Sequence, residues 1–242
     1  ISYFKLESSY SMRFLYEHSS VELISSKKVI LEKYCQALAG RHIAISDINV
    51  LIAQNIGWLP GSIASTDGTS IYLPERINIF ENKKMNFQVY KVYATHQASR
   101  IEFGSFDYKF ILSKQIIDSS DRPNNIEHSG GYLTEIQKFF SYFSDKDLIS
   151  NLFSIAEDFR IDGRTNLKYP GINIAKKMVK KYELSKRNNL SSMPNREMLI
   201  ESLIVFSLGK KNFFIPEHPY KSEYIDLINL LASLLDLNTT VN

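Results

Sequence analysis

The 242-residue chain is poor in the residues that announce most functions. Its single cysteine, Cys35, excludes an intrachain disulfide framework and a zinc site built on four cysteines. One cysteine fits a reducing, cytoplasmic compartment. Ten Gly and seven Pro argue against a loop-rich sandwich and against a glycine-rich nucleotide fold. A net charge of +3 is too slight to imply nucleic-acid binding. The most apolar stretch, 225–237, is broken by Asp226, Asn229 and Asp236 and is too short and polar to span a bilayer. Lys5 and Arg13 interrupt the one candidate signal peptide, and a start at Ile1 reads as a piece of a longer polypeptide. Catalytic signatures are missing too. Gly209-Lys210 lacks the upstream glycine and the Ser/Thr of a phosphate loop, and GxGxxG, GxSxG and DxSxS do not occur.

What is present is ordinary globular material: 44% hydrophobic and 23% charged residues, with 14 Tyr and 15 Phe beside one Trp. A chain of this size buries roughly 70–75% of its unfolded surface, enough for a real core. Apolar spacing near 3.6 predicts helices over 22–39 (stopped by Gly40), 46–56 (Ser46 as N-cap, Asp47 in the first turn), 84–103 and 132–143. Further helices are predicted over 145–162, 170–185, 195–208 (closed by Gly209) and 219–237. Thr66-Asp67-Gly68-Thr69 before Ile71-Tyr72-Leu73 predicts a hairpin over 63–73, ended by Pro74. The fold class is therefore mainly α: one multi-helix globular domain over 1–242 with a single small β-hairpin. Residues 118–131 read as a loop, and Trp58 before Pro60-Gly61 as a core plug. Cys35, on an apolar helix face, reads as buried and inert.

Two stretches carry the candidate chemistry. In 90–106, His96 and Arg100 are one turn apart on a helix. The frame invites comparison with H-E-x-x-H, but Gln97 stands where the general base would be, and Arg100 cannot ligate a metal. Glu102 lies on another face. The bland reading has His96 and Arg100 clamping a buried carboxylate. Its natural source is 157–162, where Glu157 and Arg160 form a favourable i,i+3 pair. There Asp158 and Asp162, like-charged one turn apart, call for a cation such as Arg100, Arg164 or Lys168, or a metal. These residues together read as a polar centre that specifies packing. The enzyme alternative is an atypical zincin-like metallohydrolase holding metal on His96, Glu157 and Asp158. The basic run Lys176, Lys177, Lys180 and Lys181, continued by Lys186 and Arg187, reads as a solvated helix face or a surface for an acidic partner. Two N-x-[ST] sequons, at Asn189 and Asn238, carry no meaning in a cytoplasmic protein.

Five blocks come in one order: DGTSIYLPERINIF (67–80), NFQVYKVYATHQASRIEFGSF (86–106), NLFSIAEDFRID (151–162), Tyr169-Pro170-Gly171 and REMLIESLIVFSLG (196–209). Together they resemble the N-terminal region of the nitric-oxide-reductase activation protein D family. That family includes the von Willebrand factor A-bearing large subunit of the MoxR-type Rubisco activase. The resemblance implies a non-enzymatic adaptor, without cofactor, that works with a hexameric MoxR-class AAA+ ATPase to activate a target enzyme in the cytoplasm. The A domain and its metal-adhesion motif are not in this sequence, so metal-dependent target contact does not carry over; 237–241 resembles the start of a linker toward such a domain.

Overall fold

The computed structural model describes residues 8–54, 63–109, 134–209 and 220–234. Among these residues the fold is mainly α, with nine helices and five short strands. None of the helices is long and apolar enough to cross a membrane. The chain groups into two compact units, 1–102 with 171–179, and 103–170 with 180–242.

Unit 1 begins with α1 (Ser9–His18), capped by the Ser8 hydroxyl, which accepts from Ser11 N at 3.1 Å. Strand β1 (Glu22–Leu23) pairs antiparallel with β5 (Arg76–Ile77). The predicted helix over 22–39 therefore starts later: α2 is Ile24–Ala39, because Glu22 and Leu23 are drawn into the ladder and Ile24 N bonds Glu75 O at 2.9 Å. Gly40 ends it in the left-handed region at φ 69°, where a side chain is strained.

The predicted helix over 46–56 is corrected more strongly. Ala44–Asp47 forms β2, parallel to β4 (Ser70–Leu73), and the helix α3 is Ile48–Gln54. Ile45 and Ile71 face each other in that register, both 0% exposed, and burial of the pair outweighs the local helix signal. The cap is Asp47 rather than Ser46: its Oδ1 accepts from Asn49 N at 2.9 Å. The predicted end of this segment and Trp58 lie outside the described residues, as does the 118–131 loop.

The hairpin is present as β3 (Ser65–Thr66) and β4, antiparallel. Asp67 closes its turn, accepting from Thr69 N and Ser70 N at 2.7 Å each. Burial works against that carboxylate, but these bonds and those of the Thr69 and Tyr72 hydroxyls hold it below its ordinary range. The sheet order is β2-β4-β3, so the hairpin is part of a larger sheet than its sequence signal implied.

Helix α4 (Lys83–Glu102) packs on α2 and on β4. Phe87, Tyr90, Ala94, Ala98 and Ile101 recur at steps of three or four along one face, but burial goes beyond that face, since Val89, Val92, Thr95, Gln97 and Ser99 are buried too. A helix surrounded on several sides needs polar partners for its buried polar groups. Thr95 meets Tyr34 at 2.8 Å, and Gln97 Nε2 donates to Ala64 O at 3.2 Å.

Unit 2 contains α5 (Glu135–Ser141), opened by a Thr134/Gln137 capping box, and α6 (Lys146–Lys168), capped by Asp145. Helix α6 runs six residues past the predicted end at 162. Pro170, which disfavours helical backbone at Tyr169, is the stop. A 3₁₀ turn (Pro170–Ile172) leads into α7 (Asn173–Ser185), followed by a second (Leu190–Ser192), α8 (Asn195–Ser207) and α9 (Lys221–Ser233). The last helix is shorter than predicted, and 235–237 lie outside the described residues. Its core is Ile155, Leu199, Leu203, Tyr224 and Leu231, with Leu152 and Phe159 packed against it. Burying one such leucine contributes roughly 1.5–3 kcal/mol.

Candidate functional site

The sequence places His96, Arg100 and Glu102 in one polar centre with residues 157–162. His96, Arg100 and Glu102 are half-buried on α4 in unit 1, and Glu157, Asp158, Arg160 and Asp162 lie on α6 in unit 2.

In unit 2 the i,i+3 spacing on α6 brings Arg160 onto Glu157 in a two-point pair. Nε meets Oε2 at 2.7 Å, and Nη2 meets Oε1 at 2.6 Å. The side chains are 2% and 4% exposed. Arg160 Nη2 also donates to Phe103 O at 3.2 Å, and the Ser105 hydroxyl donates to Glu157 Oε1. Two cationic side chains further along the helix, Arg164 and Lys168, stand over the Phe103 ring at 5.5 and 5.7 Å. Both Glu157 oxygens are thus engaged, and the pair holds residues 103–105 against α6. Neither Phe103 nor Ser105 carries a sequence signal for this role, since each enters through a contact more than 50 residues distant.

A cation outside the expected set, Lys180, meets Asp162 at 2.6 Å. Lys180 Nζ also donates to Ser207 O at 2.8 Å, one of the last carbonyls of α8, so one ammonium ties α6, α7 and α8. The expected solvated lysine face is corrected accordingly. Lys176 is 6% exposed and Lys180 half-buried, while Lys177 and Lys181 are exposed. At 3.6 residues per turn the four lysines share an arc of about 140°; Lys176 and Lys180 lie along one edge of it, which packing covers, and Lys177 and Lys181 along the other, which reaches water.

Two polar sites in unit 1 carried no motif. Asn86, 0% exposed, accepts from Ile79 N at 3.0 Å and Phe80 N at 2.9 Å, and donates to Ser20 O and Phe80 O at 2.7 Å each. Glu22, 2% exposed, accepts from the Tyr16 hydroxyl at 2.7 Å and the Ser26 hydroxyl at 2.8 Å. Cys35 is 0% exposed, and burial, with Glu32 nearby, pushes its thiol up to about 12.

Among the described residues, no group of three or more His, Cys, Asp and Glu side chains is placed to hold a metal ion. The metallohydrolase alternative on His96, Glu157 and Asp158 gains no supporting observation, and Glu157 is already spent on Arg160 and Ser105. Comparison of the chain with protein-family models, curated proteins and solved structures gave no match in any of the three.

Proposed function

We propose that the chain is a non-enzymatic helical docking domain of an adaptor that works with a MoxR-class AAA+ ATPase to remodel or activate a target enzyme. The ordered blocks of 67–80, 86–106, 151–162, 169–171 and 196–209 support the choice of partner, and they alone do so. The observation that carries the non-catalytic part is the commitment of Glu157. Its two oxygens are held by Arg160 and Ser105, leaving a carboxylate built to fix a packing arrangement rather than to move protons or bind a metal. Of the basic run, Lys177 and Lys181 remain exposed and available to an acidic partner surface.

The test is co-purification with a MoxR-type ATPase encoded beside the gene, together with its rate of ATP hydrolysis. Association at micromolar concentration, with faster hydrolysis that weakens on Lys177→Glu/Lys181→Glu, is the expected result. No association and no change in hydrolysis would overturn the proposal.

A further inference from the structure

Unit 2 carries a cleft of about 370 Å³ lined by the N-terminal parts of α6 and α8 and by Met193 from the turn before α8. Leu148, Met193 and Ile200 supply its apolar surface, and Asp145, Asp147, Glu197 and Glu201 supply carboxylates. The acids are not alike. Asp147 and Glu197 stand in the first turns of α6 and α8, where a carboxylate complements the helix dipole. Both are exposed, and neither forms an ion pair among the described residues.

Glu201 lies one turn deeper in α8, beyond the reach of that dipole effect. It is 9% exposed. Its Oε2 takes Arg187 at 3.1 Å, while Oε1 accepts no hydrogen bond. A buried charged group left short of a donor is costly. The remaining local cation, Arg196, is held by Asp145, the cap of α6. The cleft therefore joins an apolar floor to four carboxylates: Asp145 taken by Arg196, Asp147 and Glu197 exposed, and Glu201 buried with one oxygen short of a donor. An anionic ligand would meet repulsion there. A long alkyl cation fits on both counts: its stem covers Leu148, Met193 and Ile200, and its head lies among the carboxylates.

The geometry points to a docking site for a lysine or arginine side chain of a partner polypeptide. The cleft and the ATPase partnership stand or fall separately, because different residues carry them.

The experiment titrates the full chain with the peptide acetyl-Gly-Lys-Leu-Lys-Gly-amide and follows backbone amides by NMR. A lysine-acetylated copy of the peptide is the control. Shifts centred on Leu148, Met193 and Ile200 are expected, with binding weakened at least about fivefold between low and high salt. Asp147→Asn/Glu197→Gln, which alters exposed side chains only, should weaken binding at least about fivefold. Glu201→Gln should weaken it further; should that variant fail to fold, the double variant carries the test. Equal shifts from the acetylated peptide, unchanged binding by the double variant, or no shift at millimolar peptide would each overturn the proposal.

Discussion

Arg160 and Glu157 meet through two hydrogen bonds of 2.7 and 2.6 Å inside unit 2, with neither side chain more than 4% exposed. Two charges so placed have given up most of their hydration, and each is tolerable only while the other is present. Removing one partner should therefore cost far more than the pair itself contributes. Glu157→Gln should lower stability by about 3–5 kcal/mol, read as the shift of the urea midpoint. Glu157→Leu/Arg160→Met, which takes away both charges, should recover most of that loss. A single variant that unfolds like the parent would show that water already reaches the pair.

Asn86 is a second place where one side chain holds several backbone groups. Asn86→Leu deletes two accepted and two donated bonds, which tie the side chain to the half-buried backbone of Ile79, Phe80 and Ser20. A loss of about 4 kcal/mol is expected, from roughly 1 kcal/mol for each of the four bonds. Asn86→Asp keeps the two accepted bonds but turns an acceptor oxygen on Ser20 O and Phe80 O and buries a charge, so it should cost no less than Leu. Thermal unfolding of the two variants side by side gives the ranking, and a clearly smaller loss for Asp than for Leu would contradict it.

Gly40 sits at φ 69° with nothing within 4 Å of where a Cβ would stand. Any penalty for Gly40→Ala is therefore conformational rather than steric, about 1–2 kcal/mol. Gly40→Asn should cost less, because asparagine tolerates the left-handed region. Chemical denaturation of both variants checks the order.

The Cys35 thiol ties stability to alkaline pH. Burial, the larger cause, and Glu32 raise it from 9.0 to about 12. Between those values the unfolded chain has released the proton and the folded chain still holds it, so the folded state binds more protons. Stability from this group is full below pH 9 and falls as pH rises, by up to about 1.4 kcal/mol per unit. Burial of the Tyr224 hydroxyl, raised from 10.0 to about 12, adds to the slope from pH 10 upward. Cys35→Ala should flatten the alkaline limb of a denaturation series. In the parent chain at pH 8, a thiol reagent should react only as fast as the chain opens; immediate labelling of folded protein would refute the burial argument.

Much of the helical layout was legible because its signals are local. Apolar spacing marked α2, α4, α6 and α8. Gly40 and Gly209, both at positive φ, stand where the sequence placed the stops. The Asp67-Gly68 turn marked the hairpin, since a carboxylate two or three residues from the amides it accepts from needs no distant partner. The helix signal over 46–56 fails at Ser46 and Asp47 for the complementary reason: a strand of four residues, Ala44–Asp47, offers little period to read, and what makes it a strand is Ile71 on β4.

For the candidate site, the sequence by itself determined that Glu157 and Arg160 would pair, because 3.6 residues per turn settles an i,i+3 contact without any tertiary information. It likewise placed Cys35 in the interior. Tertiary structure alone decided that Asp162 takes Lys180, that Lys176 is buried, that Ser105 completes the Glu157 cluster, and that Asn86 reaches Ser20, 66 residues away. The physical reason is range. A helix or turn settles which neighbours along the chain can touch, whereas a buried charge or amide takes whichever complementary group packing brings within about 3 Å.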